Sequence, residues 1–149
     1  RLTSPLVIPP GVTLATTGNP GPNQYALMAR LVRNARFDTG VVNLRSGAKL
    51  RNVWVDGQRG VVGFTHDGIN VLLLGGNGTS ILDSVVTNSA GWSSVQAFGT
   101  AEGFPCRGNT LLGNLITAYS LTRSVAVYPG RIVFTVIPRV ATSRESVFA

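Results

Sequence analysis

The sequence predicts an all-β solenoid, a parallel β-helix, and three observations carry that expectation. A short phrase recurs at a nearly fixed interval. Glycine, asparagine and β-branched residues stand where helix formers would be needed. Charge is scarce: 13% of the 149 residues are charged, against roughly 25% in an ordinary globular domain. Apolar residues make up 44% of the chain, so it is folded and long enough to bury a core.

The phrase reads LRNVWVDGQ from Leu50, LDSVVTNS from Leu82 and LGNLITAY from Leu112, at intervals of 32 and 30 residues. A period in this range marks solenoids, propellers and arrays. Helical repeats are excluded, because the units lack a 3.6-residue periodicity and hold Asn, Gly, Val and Thr where Ala, Leu and Glu belong. A leucine-rich repeat needs a shorter period, and a propeller blade needs four strands and its own signature. Between the phrases lie further short apolar runs, GVVNLRS, INVLLLGG and SVQAFGT. Each unit therefore holds two or three short strands separated by bends, which is one coil of a parallel β-helix.

Stacking equivalent residues at the ~4.8 Å strand spacing assigns each column a place. Leu50, Leu82 and Leu112 are expected to stack inward, and Val53, Val85 and Leu115 likewise. Asn52, Ser84 and Asn114 are expected at one corner, with positive φ at the two asparagines. Trp54, Val86 and Ile116 then form an outward apolar stripe. A glycine precedes each phrase: Gly47, Gly78 and Gly108.

With PLVIPPGVTL at residues 5–14, and with GAKLRNVWVDGQ, GTSILDSVVTNS and GNTLLGNLITAYS as later coils, the chain resembles the pectin-lyase-like superfamily over residues 5–120. The resemblance implies a right-handed parallel β-helix of about five coils within residues 1–120. It also implies a polysaccharide partner and an extracellular or cell-envelope location. Activity does not follow, since that scaffold carries lyases, hydrolases, epimerases and non-catalytic adhesins. Two functional readings stand: a polysaccharide-engaging domain, as a lyase or glycoside hydrolase fragment acting on acidic glycans, or a non-catalytic structural module of adhesin or tailspike kind.

Residues 121–149 break the pattern. All ten Asn and seventeen of the eighteen Gly precede Leu121. This atypical tail reads as a segment that caps or covers the solenoid, whose strand edges need protection, or as an altered end. Placed across Trp54, it would bury the indole.

The net charge of +7 does not imply specific nucleic-acid binding, because the basic residues are scattered singly along the chain. Cys106 is the one cysteine, so neither an intrachain disulfide nor a cysteine metal cluster can form, and no metal site is expected. It reads as a partly buried small apolar residue. No stretch approaches the ~18 apolar residues of a membrane span, and neither oligomeric state nor cofactor is indicated, Ca²⁺ entering only for a lyase.

For chemistry, glycoside hydrolysis uses two carboxylates ~5–9.5 Å apart. β-Elimination on a uronate uses a base together with Ca²⁺ or Arg to hold the developing charge. The catalytic candidates are Asp56, Asp67 and Glu102, with Arg59 as charge stabiliser. NVWVDG at 52–57 is similar to the Val-Trp-Ile-Asp-His motif of pectate lyases, with Gly57 standing in place of the His. Asp56-Gly57 and THDG at 65–68 equally read as Asp-Gly turns, with His66 exposed. Sugar rings stack on exposed indoles, so Trp54 and Trp92, with His66, are the carbohydrate-binding candidates.

Overall fold

One corner of the chain is written in glycine. Gly11, Gly47, Gly78 and Gly108 all take left-handed backbone, with φ of 72°, 71°, 65° and 64°, a region where a Cβ is strained. Their amides bind across to the neighbouring corner: Gly11 N–H to Ser46 O, Gly47 to Asn77 O and Gly78 to Arg107 O, at 2.8–3.0 Å. Each glycine turns the chain between two short strands.

The computed structural model describes residues 1–21, 23–99, 106–117 and 131–134, the last four by their backbone. Strands recur in threes: β1 (Leu6–Ile8), β2 (Thr13–Ala15), β3 (Ala29–Val32); β4 (Val42–Leu44), β5 (Lys49–Arg51), β6 (Val53–Asp56). There follow β7 (Val71–Leu74), β8 (Ser80–Leu82), β9 (Val85–Thr87); β10 (Val95–Phe98), β11 (Thr110–Leu112), β12 (Leu115–Ile116). Each sheet takes every third strand, in the orders β1-β4-β7-β10, β2-β5-β8-β11 and β3-β6-β9-β12, and all these pairings are parallel. The fold is an all-β parallel solenoid. No helix among the described residues is long and apolar enough to cross a membrane.

The core runs down the middle of the three sheets. One inward column is Leu14, Leu50, Ile81 and Leu111. Another is Leu31, Val55, Val86 and Ile116. Leu50, Ile81, Val55 and Val86 are fully buried. Three-residue strands have little stability alone, so the fold rests on this stacked burial, at ~25 cal/mol per Å² of apolar surface. Cys106 packs half-buried against the same cluster, and burial pushes its thiol pKa up, although Asn109 Nδ2 donates to Sγ at 2.9 Å.

This register corrects the sequence expectation by one residue between the second and third sets. Arg51 faces Leu82, so Leu50 stacks on Ile81; Leu82 is half-buried and Leu112 is 66% exposed. Val85 does pair with Leu115, but its other neighbour is Trp54 and not Val53, which pairs with Ala29. The positive-φ corner comprises Asn52, Asp83 and Gly113, at 51°, 47° and 67°, instead of Asn52, Ser84 and Asn114. Ser84 and Asn114 follow it and tie the corner together: Ser84 N–H donates to Asn114 Oδ1 and Val53 N–H to Ser84 Oγ. The stripe of Trp54, Val86 and Ile116 is likewise split, since the last two belong to the inward column of Val55.

A strand β13 (Arg131–Phe134) lies antiparallel against β10, with Phe134 opposite Val95. It occupies the sheet of β1, whereas Trp54 belongs to the sheet of β3. The rest of the tail expected to cover Trp54 lies outside the described residues.

The register is testable by truncation. Leu50→Ala should cost about 3 kcal/mol in denaturant unfolding, as for buried leucines generally. Leu112→Ala should stay within about 0.5 kcal/mol. Equal costs would contradict the register.

Candidate functional site

Two crossings, after β6 and after β9, leave the solenoid at the same corner. Each starts on a left-handed residue, Gln58 (φ 51°) and Asn88 (φ 54°). The first continues into a one-turn helix α1 (Arg59–Val62), whose Arg59 N–H donates to Asn88 O. Thr65 N–H donates to Ala90 O at 2.9 Å, and Gly68 N–H closes the turn onto Thr65 O. A Cβ on Gly91 would lie 2.7 Å from the Gly68 nitrogen, so the two loops touch backbone to backbone. THDG is thus an Asp-Gly turn, clamped by its neighbour loop.

Gly57 explains the departure from the pectate-lyase phrase. A Cβ there would meet Asn70 Oδ1 at 2.2 Å and Asn88 O at 2.5 Å. A histidine cannot enter that space.

Asp56 is 0% exposed. Arg30 and Gln58 Nε2 donate to Oδ2, the latter at 2.7 Å, while Gln58 N–H and Asn88 Nδ2 donate to Oδ1 at 3.0 and 3.1 Å. Burial alone would raise its pKa, but these donors together outweigh it and hold the carboxyl below its ordinary 3.8. Arg30 also lies over the Trp54 ring, 4.5 Å from its centroid, and Trp54 Nε1 donates to Thr87 Oγ1 at 2.9 Å. Trp54 is half-buried beneath this arginine.

The exposed part of the corner is aromatic and basic. Trp92 is 59% exposed. Phe64 meets it edge to face at 5.0 Å and 79°, and His66 at 6.2 Å and 82°. Neither ring lies flat on the indole. The Arg59 guanidinium sits 5.1 Å from the Phe64 centroid, and Arg36 Nη2 donates to Phe64 O at 3.0 Å. His66 Nδ1 and Asp67 Oδ1 are 3.2 Å apart. Beside them a cleft of about 470 Å³ opens between Gln58, Arg59, Gly60, Val61 and Asn88.

Of the residues singled out in the sequence, the structure brings Arg59, His66, Asp67 and Trp92 into one patch. Asp56 is joined to it through Gln58 and Asn88, Trp54 is tied to Asp56 through Arg30, and Glu102 lies outside the described residues. Phe64 and Arg36 were missed, being loop residues outside the repeat. Arg33 was missed too: it is 1% exposed, donates to the carbonyls of Phe37, Thr39 and Ile69 at 2.9–3.0 Å, and stacks on Phe37 at 4.1 Å. Burial lowers its pKa to about 10, against the opposing pull of Asp38. It pins the preceding crossing to the loop that carries His66. Among the described residues no group of three or more His, Cys, Asp or Glu could hold a metal ion. Comparison with models of known families, with characterised proteins and with solved structures gave no match.

Because the folded carboxyl of Asp56 is the more acidic one, its contribution is complete above the unfolded value of 3.8 and vanishes as pH falls through the folded pKa. Asp56→Asn should therefore lower stability by about 2 kcal/mol at pH 7, and should flatten the loss of stability on acidification. Chemical unfolding at pH 7 and below pH 4 checks both.

Proposed function

We propose that the chain is a right-handed, pectin-lyase-like β-helix, of about five coils in the sequence reading, that engages a polysaccharide at the corner carrying Trp92. The observation that carries this reading is the open indole, flanked edge-on by Phe64 and His66 with Arg59 beside it. A sugar presents an apolar ring face and a polar rim. A rigid aromatic platform with a cation beside it suits an acidic sugar. Both loops that form it are fixed by backbone contacts, so little order is lost on binding.

Binding without cleavage is the favoured form. A carboxylate with four donors and a depressed pKa is a weak base and, ionised, no acid. Asp56 therefore serves to anchor Gln58, Asn88 and Arg30, on which the cleft is built. A lyase or hydrolase remains the second reading, with Asp67, Arg59 and Glu102 in its catalytic roles.

The test is glycan retention on an affinity gel. Trp92→Ala should weaken it about tenfold, the worth of one aromatic stacking contact, with an unchanged melting temperature because the side chain is largely exposed. Retention equal to the parent's would overturn the binding reading. Incubation with acidic and neutral polysaccharides should yield neither unsaturated products nor new reducing ends. Products abolished by Arg59→Ala or Asp67→Asn would establish the second reading.

A further inference from the structure

We propose a second surface, on a different sheet from the aromatic corner, that binds a linear polyanionic polysaccharide. It is the outward face of β2-β5-β8-β11 with the corner beside it. In-out alternation puts Leu14, Leu50, Ile81 and Leu111 in the core, so Lys49 and Arg51 point outward, and both are exposed. Their neighbours in register carry no charge: Thr13, Ser80 and Thr110 beside Lys49, and Ala15, Leu82 and Leu112 beside Arg51. The bordering corner adds Arg45 and Arg107, also exposed. Gly47 N–H binds Asn77 O and Gly78 N–H binds Arg107 O, which places Arg107 two strand spacings from the level of Ser46, about 10 Å along the stack.

These four cations make no side-chain hydrogen bond or ion pair among the described residues. Among the described residues Asp83, at the far corner, is the one carboxylate bordering the face, and it forms no ion pair with Arg51. Two cations on the face and two on its border, none in an ion pair among the described residues, lie with the hydroxyl residues Thr13, Ser80 and Thr110 and complement an extended chain with regularly spaced carboxylates or sulfates. A nucleic acid fits less well. Among the described residues the face carries no aromatic side chain on which a base could stack, and no helix that could enter a groove.

The surface goes beyond the Trp92 reading and is separable from it. The full-length chain is tested with alginate, a linear polyuronate, and with a single-stranded oligonucleotide of similar length, at several salt concentrations. The variant Lys49→Gln/Arg51→Gln/Arg107→Gln should bind alginate at least about tenfold more weakly at low salt and with a shallower salt dependence, both in the parent and in a Trp92→Ala background. Its melting temperature should not change, since all three side chains are exposed. Asp83→Asn should bind alginate more tightly. Alginate binding by the triple variant equal to the parent's would overturn the proposal. So would tighter retention of the oligonucleotide than of alginate at matched salt. The Trp92 reading fails separately, if Trp92→Ala in the triple-variant background leaves retention of a short uronate oligosaccharide unchanged.

Discussion

Backbone dihedral angle at the corners is the constraint on which the rest depends. Gly47, Gly78 and Gly108 turn the chain between the first and second strands of a set; Asn52, Asp83 and Gly113 turn it between the second and third. A left-handed conformation is open to Gly, and at modest cost to Asn and Asp, while β-branched residues are barred. Two such corners 31 and 30 residues apart in chain order leave each intervening strand only one way to stack. Once the corners coincide, the carbonyls and amides of neighbouring sets meet, and the inward side chains follow in columns.

That ordering explains how much was legible in the sequence. All-β character, the solenoid period and parallel stacking could be read from turn residues at nearly fixed intervals. An alignment of the phrases on leucine shifts the register by one residue. Leu, Ile and Val exchange freely at a buried position, so Leu50 can stack on Ile81 while Leu82 turns outward. A slip of one residue sends every side chain to the other face, which is why a leucine alignment places Trp54, Val86 and Ile116 in one outward stripe. The preceding glycines held the right key: Gly47 is three residues before Leu50, whereas Gly78 and Gly108 are four before Leu82 and Leu112. A residue required by its dihedral angle fixes register better than one required for its oiliness.

The site was legible only in part, for a different reason. Trp92, His66, Asp67 and Arg59 carry recognisable chemistry. Their convergence depends on two crossings lying side by side, which no local pattern encodes. Phe64 had no signal, being an aromatic residue in a loop. Arg33 was invisible because sequence reasoning puts arginine outside, whereas three backbone carbonyls and a phenyl ring keep this one inside. Two buried charges, Asp56 and Arg33, thus replace apolar packing at the corner that follows the third strand of each set. Asp56 accepts from four donors and Arg33 donates to three carbonyls, which holds both in place and gives the exposed residues above a fixed floor.

Cross-linking across the second sheet tests the register most directly. In a Cys106→Ser background, Arg51→Cys/Leu82→Cys places two thiols on residues paired in parallel strands, with Cα atoms ~4.8 Å apart, within disulfide range. Arg51→Cys/Asp83→Cys shifts one partner to the corner, as the leucine alignment would require. Under mild oxidation the first pair should close quantitatively without loss of stability, and the second slowly or with destabilisation. Preferential closure of the second pair would contradict the corner-set register.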